Sequence, residues 1–241
     1  MTYSLKIAWR YFFSKSQQTV INRINIFAFL MVVVATAALF IVLSAFAGLK
    51  DFGLSFTNSF DPDYEIVPVR GKYLTLSENT LSELESLPLI ISVAQEVEEK
   101  VFLSFNEKNQ VAYLKAVSEN YTNVVGVDSL IALGNWLSFK GPEAVLGFGI
   151  AGNMSVGVFD YSTFLNITVP KKKKTGPLDQ NPFFTKPSVV VGLYQISEDL
   201  DKKYVFADLA FGQELMGLSP NNFSSIVLKT AENVTKKKLA K

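Results

Sequence analysis

Residues 24–49 read INIFAFLMVVVATAALFIVLSAFAGL, and no charged side chain occurs between Arg23 and Lys50. An α-helix rises about 1.5 Å per residue, so this stretch is roughly 39 Å long and can cross a hydrocarbon core of about 30 Å with some tilt. A cleaved signal peptide would have a shorter apolar region, of about 7–15 residues, close to the N-terminus. A buried helix of a soluble protein seldom runs this far without a charge. We therefore expect residues 24–49 to form a retained transmembrane helix.

The residues before this span predict its orientation. Residues 1–23 contain no Asp or Glu, and their basic residues are Lys6, Arg10, Lys15 and Arg23. Lys and Arg close to a span favour the cytoplasmic side of the membrane. We therefore expect residues 1–23 to be cytoplasmic and the chain from about residue 50 onward to lie outside the cytoplasm.

Residues 3–16 carry a second apolar pattern. Its members recur with the spacing of one helix face and are Leu5, Ala8, Trp9, Phe12 and Phe13. The basic residues of the segment fall largely off that face. This pattern favours an amphipathic helix on the inner leaflet. The alternative is a cytoplasmic helix that packs against a partner protein.

Small residues within the span include Ser44 and Gly48, which are four positions apart. Such small-xxx-small pairs allow two helices to approach closely in a bilayer. The pair therefore predicts a helix-packing face, although small residues are also common in spans that make no such contact.

Residues 50–241 mix strand and helix patterns without regular alternation of the two, which predicts an α+β domain. Strands are expected at 64–69, 97–105, 110–117, 163–169, 188–196 and 223–229, and helices at 77–87 and 208–215. The polar residues 106–109 separate two of these strands and predict a hairpin turn. Residues 145–152 are compatible with either a strand or a helix.

The composition excludes several kinds of chemistry. The chain has no Cys and no His, so Ser-His-Asp triads, Cys nucleophiles and thiolate or imidazole metal sites are impossible. Gly147, Gly149 and Gly152 match GxGxxG, but an extracytoplasmic location argues against a dinucleotide site. The net charge of +1 argues against nucleic-acid binding. We therefore predict no catalytic residue, no metal or cofactor site and no enzymatic activity of this chain.

A basic segment interrupts the domain between two expected strands. It contains Lys171, Lys172, Lys173 and Lys174 and is followed by Phe183, Phe184 and Lys186. Four successive lysines flanked by prolines do not fit the interior of a packed sheet, so they predict a protruding loop or hairpin tip. Such a loop is either simply solvated or a contact element for a partner or for anionic lipid headgroups.

Several stretches resemble permeases of the lipoprotein-release type (LolC/LolE), in the FtsX/MacB-like superfamily of ABC transporters. Residues 7–12 (IAWRYF) resemble the opening of these permeases, and residues 43–49 (LSAFAGL) are similar to the end of their first span. Residues 111–117 (VAYLKAV), 145–152 and 183–206 resemble segments of their outer domain.

This resemblance implies an architecture of one span, a large periplasmic domain and three further spans in the bacterial inner membrane. It also implies a dimer of permease subunits, a separate cytoplasmic ATPase, lipoprotein cargo and a periplasmic chaperone that receives it. Only the first span is present, so the chain is expected to be a truncated N-terminal part or a degenerate copy of such a permease, with residues 50–241 forming a MacB-like periplasmic core domain. The alternatives are a single-pass anchored binding or scaffold protein, and a related permease with another cargo.

The resemblance further implies a role for the basic segment. In LolC-type subunits a β-hairpin called the hook extends from the periplasmic domain and recruits the chaperone, and residues 169–187 fall at the similar place. The residues expected to contact the chaperone are Lys171, Lys172, Lys173, Lys174, Phe183, Phe184 and Lys186.

Overall fold

The computed structural model describes residues 3–13, 19–60, 62–171 and 182–231. The chain divides into two compact units, Met1–Ser55 and Phe56–Lys241. The helices are α1 (Tyr3–Phe13), α2 (Thr19–Phe60), α3 (Glu78–Glu85), α4 (Tyr121–Val124), α5 (Phe148–Met154), α6 (Glu198–Asp201) and α7 (Leu209–Met216). The strands are β1 (Tyr64–Ile66), β2 (Leu74–Thr75), β3 (Ile90–Phe105), β4 (Lys108–Val117), β5 (Ile131–Gly134), β6 (Glu143–Gly147), β7 (Leu165–Pro170), β8 (Phe183–Tyr194), β9 (Tyr204–Asp208), β10 (Asn222–Phe223) and β11 (Ser225–Thr230).

The first unit contains the apolar helix that the sequence predicts. Within α2, the stretch Arg23–Lys50 is long and apolar enough to cross a membrane. Its residues are exposed throughout, so its apolar side chains have no protein core to pack against. Exposure of such a long apolar surface to water would be strongly unfavourable. Together with the domain that follows, this helix indicates a membrane-anchored protein.

The second unit is built on one curled sheet. Six strands follow one another around a ring in the order β3, β4, β9, β6, β8 and β7, and β7 pairs with β3 to close it. The β4–β9 and β6–β8 pairs are parallel and the other pairs of the ring are antiparallel. The predicted hairpin is present, with a two-residue turn at Asn106 and Glu107 between the paired residues Phe105 and Lys108. The α+β fold class is confirmed.

Two helices fill the inside of the ring. Alternate residues of β3, including Val101 and Leu103, are buried in one cluster with Ile150 of α5 and with Phe211 and Leu215 of α7. Each fully buried side chain of this size contributes about 1.5–3 kcal/mol relative to exposure. The sheet therefore curls because its concave face encloses two short apolar helices.

Other clusters cover the outside of the ring. The ring of Phe206 on β9 lies 5.1 Å from that of Trp136 and 6.1 Å from that of Tyr121, centroid to centroid. A third cluster joins α3 to the first half of β3 and to β11. α3 begins as predicted, because the Ser77 hydroxyl accepts a hydrogen bond from the Thr80 N–H and caps the helix.

The first and the last strand described in this unit are neighbours in the sheet. β1 is antiparallel to β11, and β11 is antiparallel to the first half of β3. This pairing explains why β3 begins at Ile90 rather than at residue 97 as predicted: residues 90–96 have β11 as their partner.

Candidate functional site

The most distinctive feature of the domain is the two-stranded ribbon of β7 and β8. The two strands pair from Leu165↔Ser188 to Pro170↔Phe183. Beyond the last pair, the Lys171 N–H donates a hydrogen bond to the Pro182 carbonyl at 2.8 Å. The connection between the strands, including Lys172, Lys173 and Lys174, lies outside the described residues.

Alternation decides which side chains of the ribbon are presented outward. On β7, Leu165, Ile167 and Val169 are buried in the ring core, and Asn166 and Thr168 between them face the other way. The Thr168 hydroxyl is 2.8 Å from the Thr185 hydroxyl across the ribbon. One face of the ribbon thus packs into the ring core, and the other face is a polar outer surface.

The two phenylalanines at the start of β8 lie on opposite faces of the ribbon. Phe184 pairs with the buried Val169 and so shares the inner face, with 37% of its surface exposed. Phe183 lies on the outer face and is 50% exposed. Both predicted contact residues therefore retain accessible aromatic surface.

Lys186 has a partner within the domain. Its ammonium nitrogen lies 2.5 Å from Glu214 Oε2 and 4.7 Å from the centroid of the Phe211 ring, and its side chain is 18% exposed. Both contacts are to α7, on the inner side of the sheet. The structure thus places Lys186 where it holds β8 against α7.

Sequence reasoning missed the aromatic surface beside the ribbon. A shallow groove on the outer face of the sheet is lined by Phe102, Ser104, Asn166, Thr168, Phe183 and Thr185. The pairing register places Val111, Phe102, Thr168 and Thr185 in one row across β4, β3, β7 and β8. Phe102 is 45% exposed and Val111 is 51% exposed. The sequence did contain a signal for this surface, because Phe102 is an apolar residue between two inward-facing residues of a strand and must therefore face outward.

The charged end of the same outer face contains a buried ion pair. Glu96 Oε2 lies 3.2 Å from the Lys115 ammonium nitrogen, and Glu96 Oε1 accepts a hydrogen bond from the Ser225 hydroxyl at 3.0 Å. Burial raises the pKa of Glu96, and it outweighs the lowering effects of Lys115 and Ser225. Burial alone would lower the pKa of Lys115, but the carboxylate of Glu96 raises it above its usual value. The pair joins β3, β4 and β11.

The GxGxxG match has a structural role. Gly147 ends β6, and α5 begins at Phe148. A Cβ added at Gly147 would collide with the backbone of Asp201, and one added at Gly149 would lie 2.6 Å from Lys202 Cγ. Gly147 and Gly149 therefore allow the start of α5 to pack closely against Asp201 and Lys202 at the end of α6. Among the described residues, no group of three or more carboxylates could hold a metal ion.

The two predicted membrane-contacting elements belong to the first unit. Ser44 and Gly48 lie one turn apart on α2 and are exposed, and a Cβ at Gly48 would meet nothing within 4 Å. In α1, Trp9 of the predicted apolar face is 67% exposed. The side chains of the other members of that face, Leu5, Ala8, Phe12 and Phe13, lie outside the described residues.

Comparison with known proteins gives one family. No curated protein sequence matches the chain. Among solved structures, the extracellular domain of the noncanonic ABC-type transporter YknZ from Gram-positive bacteria is similar at 14% identity and a TM-score of 0.46, over 75% of this chain and 83% of that one. The periplasmic region of MacB from Actinobacillus actinomycetemcomitans is similar at 15% identity and a TM-score of 0.45, over 69% of this chain and 71% of that one.

The family match covers nearly the whole chain. The profile of the MacB-like periplasmic core domain matches residues 26–241. Permeases of the MacB/FtsX-like kind work with ABC ATPase partners. The chain therefore belongs to the MacB-like periplasmic core domain family and carries the periplasmic domain of a MacB/FtsX-like ABC transporter permease.

Proposed function

We propose that the chain is the N-terminal part of a permease subunit that transmits mechanical movement in the release of lipoproteins from the inner membrane. In this proposal residues 1–23 are cytoplasmic, residues 24–49 span the inner membrane and residues 50–241 form the periplasmic domain. The resemblance of residues 7–12 and 43–49 to LolC/LolE permeases supports the choice of lipoproteins as cargo.

The observation that carries the permease proposal is the position of the two ends of the domain. Asp63, just after α2, accepts hydrogen bonds from Thr230, the last residue of β11. A domain whose ends are adjacent can be inserted between two membrane spans without straining either connection. This arrangement favours a permease over a single-pass anchored scaffold, which does not need its two ends to be adjacent.

The closed ring suits a part that moves as one body. Every ring strand has hydrogen-bonded neighbours on both sides, and the interior is filled by packed helices. Packed interiors transmit displacement rather than absorb it. ATP is hydrolysed by a separate cytoplasmic ATPase subunit, and a second permease subunit completes the dimer around the lipoprotein.

We assign the hook role to the ribbon and the basic connection, with Lys171, Lys172, Lys173, Lys174, Phe183 and Phe184 contacting a periplasmic lipoprotein chaperone. Because Phe183–Lys186 belongs to β8, a deletion that tests this role must spare those residues. Replacing residues 172–181 with Asn-Gly keeps β7 and β8 paired through a short turn. Loss of crosslinking to the chaperone, with normal membrane insertion, is the expected result. Unchanged crosslinking would exclude the hook role.

The permease proposal itself is tested by purifying the natural protein from crosslinked native membranes. A mass of about 45 kDa, expected from three further spans of ~20 residues plus their loops, together with a co-purified ATPase, would support it. A mass near the 26.7 kDa of this chain without an ATPase would favour the single-pass anchored module. An ATPase without lipoprotein would point to a permease with another cargo.

A further inference from the structure

Part of the outer face of β3, β4, β7 and β8 is an open apolar surface that the clusters on the outside of the ring leave exposed. Its apolar members are Phe102, Val111 and Phe183, each about half exposed. Single exposed apolar side chains are ordinary, but three on one face of the sheet, two of them lining one groove, form a patch. Nothing in the core requires Phe102 to be aromatic, because its neighbours on β3, Val101 and Leu103, supply the inward contacts.

The patch is bordered by groups that can form hydrogen bonds. Ser104, Asn166, Thr168 and Thr185 line the same groove as Phe102. An acyl chain cannot form hydrogen bonds with hydroxyl and amide groups, whereas a polypeptide can form them with its own polar groups. The open sheet surface also cannot enclose a small molecule, which normally has most of its surface buried. A protein segment is therefore the occupant that this chemistry fits.

The charge around the patch selects the kind of segment. Beside the patch on β3, the outward charged residues are Lys100 and Glu98, and the Glu98 carboxylate already lies 3.9 Å from the Lys115 ammonium nitrogen. Lys203 adds a second cation beside this face, because its ammonium nitrogen lies 5.2 Å from the ring centroid of Tyr113, which pairs with Lys100. A partner that brought basic residues to this surface would meet like charge, and an acidic partner would meet complementary charge.

We infer that the outer face formed by Phe102, Val111 and Phe183 is a docking surface for an acidic protein segment that presents apolar side chains. It shares Phe183 with the proposed hook, but Phe102 and Val111 lie on β3 and β4, and the proposal does not depend on the lipoprotein-release assignment. Four strands about 4.8 Å apart, with outward side chains every ~6.6 Å, give an area of roughly 300 Å², well below the ~800 Å² per partner of stable complexes. The contact is therefore weak and transient.

The test uses the full chain in phosphatidylcholine nanodiscs and fluorescently labelled peptides about eight residues long. One peptide alternates Glu with Leu, and its matched counterpart alternates Lys with Leu. Anisotropy is expected to show binding of the acidic peptide only. Phe102→Thr, which keeps a strand-favouring residue, should weaken it about tenfold, the order expected when an apolar contact is removed. Phe164→Thr removes a comparably exposed aromatic outside the patch (46% exposed) and should leave binding unchanged.

Val111→Thr is a second variant, nearly equal in volume, should Phe102→Thr disturb the fold. Equal binding of the basic peptide, or equal weakening by Phe164→Thr, would overturn the proposal. So would normal binding of the acidic peptide by a correctly folded Phe102→Thr or Val111→Thr variant. Binding to phosphatidylglycerol vesicles that depends on Phe102, without peptide binding, would replace the protein segment by a membrane surface. No ATPase is in the assay, so failure here is separable from failure of the permease proposal.

Discussion

The carboxylate of Asp63 joins the two ends of the periplasmic domain: its Oδ2 accepts a hydrogen bond from the Thr230 N–H at 2.8 Å and from the Thr230 hydroxyl at 3.3 Å. Thr230 also pairs with Ile90 at the start of β3, after an irregularity in the β11 register. A force that pulls the two ends of the domain apart would act first on this contact, because it lies at the end of the β1–β11 ladder. Asp63 therefore acts as a clamp between the two ends of the domain.

Asp63→Ala is expected to lower the free energy of unfolding by about 1 kcal/mol, the usual net value of a lost hydrogen bond in an exposed setting. The more specific result is local: hydrogen exchange at the Thr230 amide should accelerate, with the ring strands unaffected. Exchange measured by mass spectrometry on the full chain in nanodiscs checks this. Glu83→Ala, at an exposed position of α3, is the matched control, and equal acceleration in both variants would exclude the clamp.

The pair Glu96–Lys115 is expected to dominate the electrostatic part of stability. Lys115→Met leaves the Glu96 carboxylate buried without its cation and should cost about 3 kcal/mol, whereas the double change with Glu96→Gln should recover much of that loss. Lys72→Met, which breaks an ion pair whose lysine is 57% exposed, should cost less than about 1 kcal/mol. Thermal unfolding of the unchanged protein and of these three variants gives the comparison, and similar losses in both single lysine variants would contradict it.

The same pair predicts how stability changes with pH. The pKa of Glu96 is raised above its usual 4.5, so the folded state holds a proton that the unfolded state has lost. The free energy of unfolding should therefore fall as pH rises from about 4.5 through the folded pKa of Glu96. For Lys115, whose pKa is also raised, the contribution is present below about 10.5 and is lost as pH rises through its folded pKa. Glu96→Gln should remove this fall in the free energy of unfolding above about pH 4.5. If the fall is unchanged in the variant, another group causes it.

Patterns of neighbouring residues in the sequence predicted several strands and helices. The strands over 110–117 and 163–169 alternate apolar and polar residues, and α7 begins after Asp208, whose carboxylate caps it. β9 was missed because Tyr204–Asp208 sits in the middle of the ring with both faces covered, so it has no alternation to detect. β5 was missed because a bulge and Gly134, with φ of 79°, interrupt its pattern.

Pairing between distant strands limited the prediction of the site. The composition of the sequence predicted a protruding basic connection, and the resemblance to LolC-type subunits added Phe183 and Phe184 as contact residues. Neither predicted that β7 would pair with β3, and only this pairing brings Phe102 beside Phe183. Likewise, the partner of Lys186 lies on α7, which no local pattern connects to β8. Contacts between distant segments depend on ring closure, which no local window of sequence contains.

Gly147→Ala should be among the most damaging small substitutions in the domain. Its Cβ would collide with the Asp201 backbone, which cannot move away as a flexible side chain can, so a loss of about 2 kcal/mol or more is expected. Gly152→Ala is the matched control, because it lies in α5 with open space at the Cβ position. It should stabilise the protein by about 0.5–1 kcal/mol, since Ala is the better helix former. In thermal unfolding, Gly147→Ala is expected to lower the melting temperature and Gly152→Ala to raise it.

The small-residue pair on α2 predicts association of the membrane helix. Gly48→Leu should weaken self-association or assembly with a second permease subunit, because the larger side chain keeps two backbones from approaching closely. Ala35→Leu is the control. Ala35 is nine residues from Ser44, and a rotation of about 100° per residue places it on the opposite side of the helix. Energy transfer between labelled chains in lipid bilayers measures the difference. Equal loss in both variants would indicate a general effect of bulk, and no loss in either would show that the face formed by Ser44 and Gly48 packs against lipid.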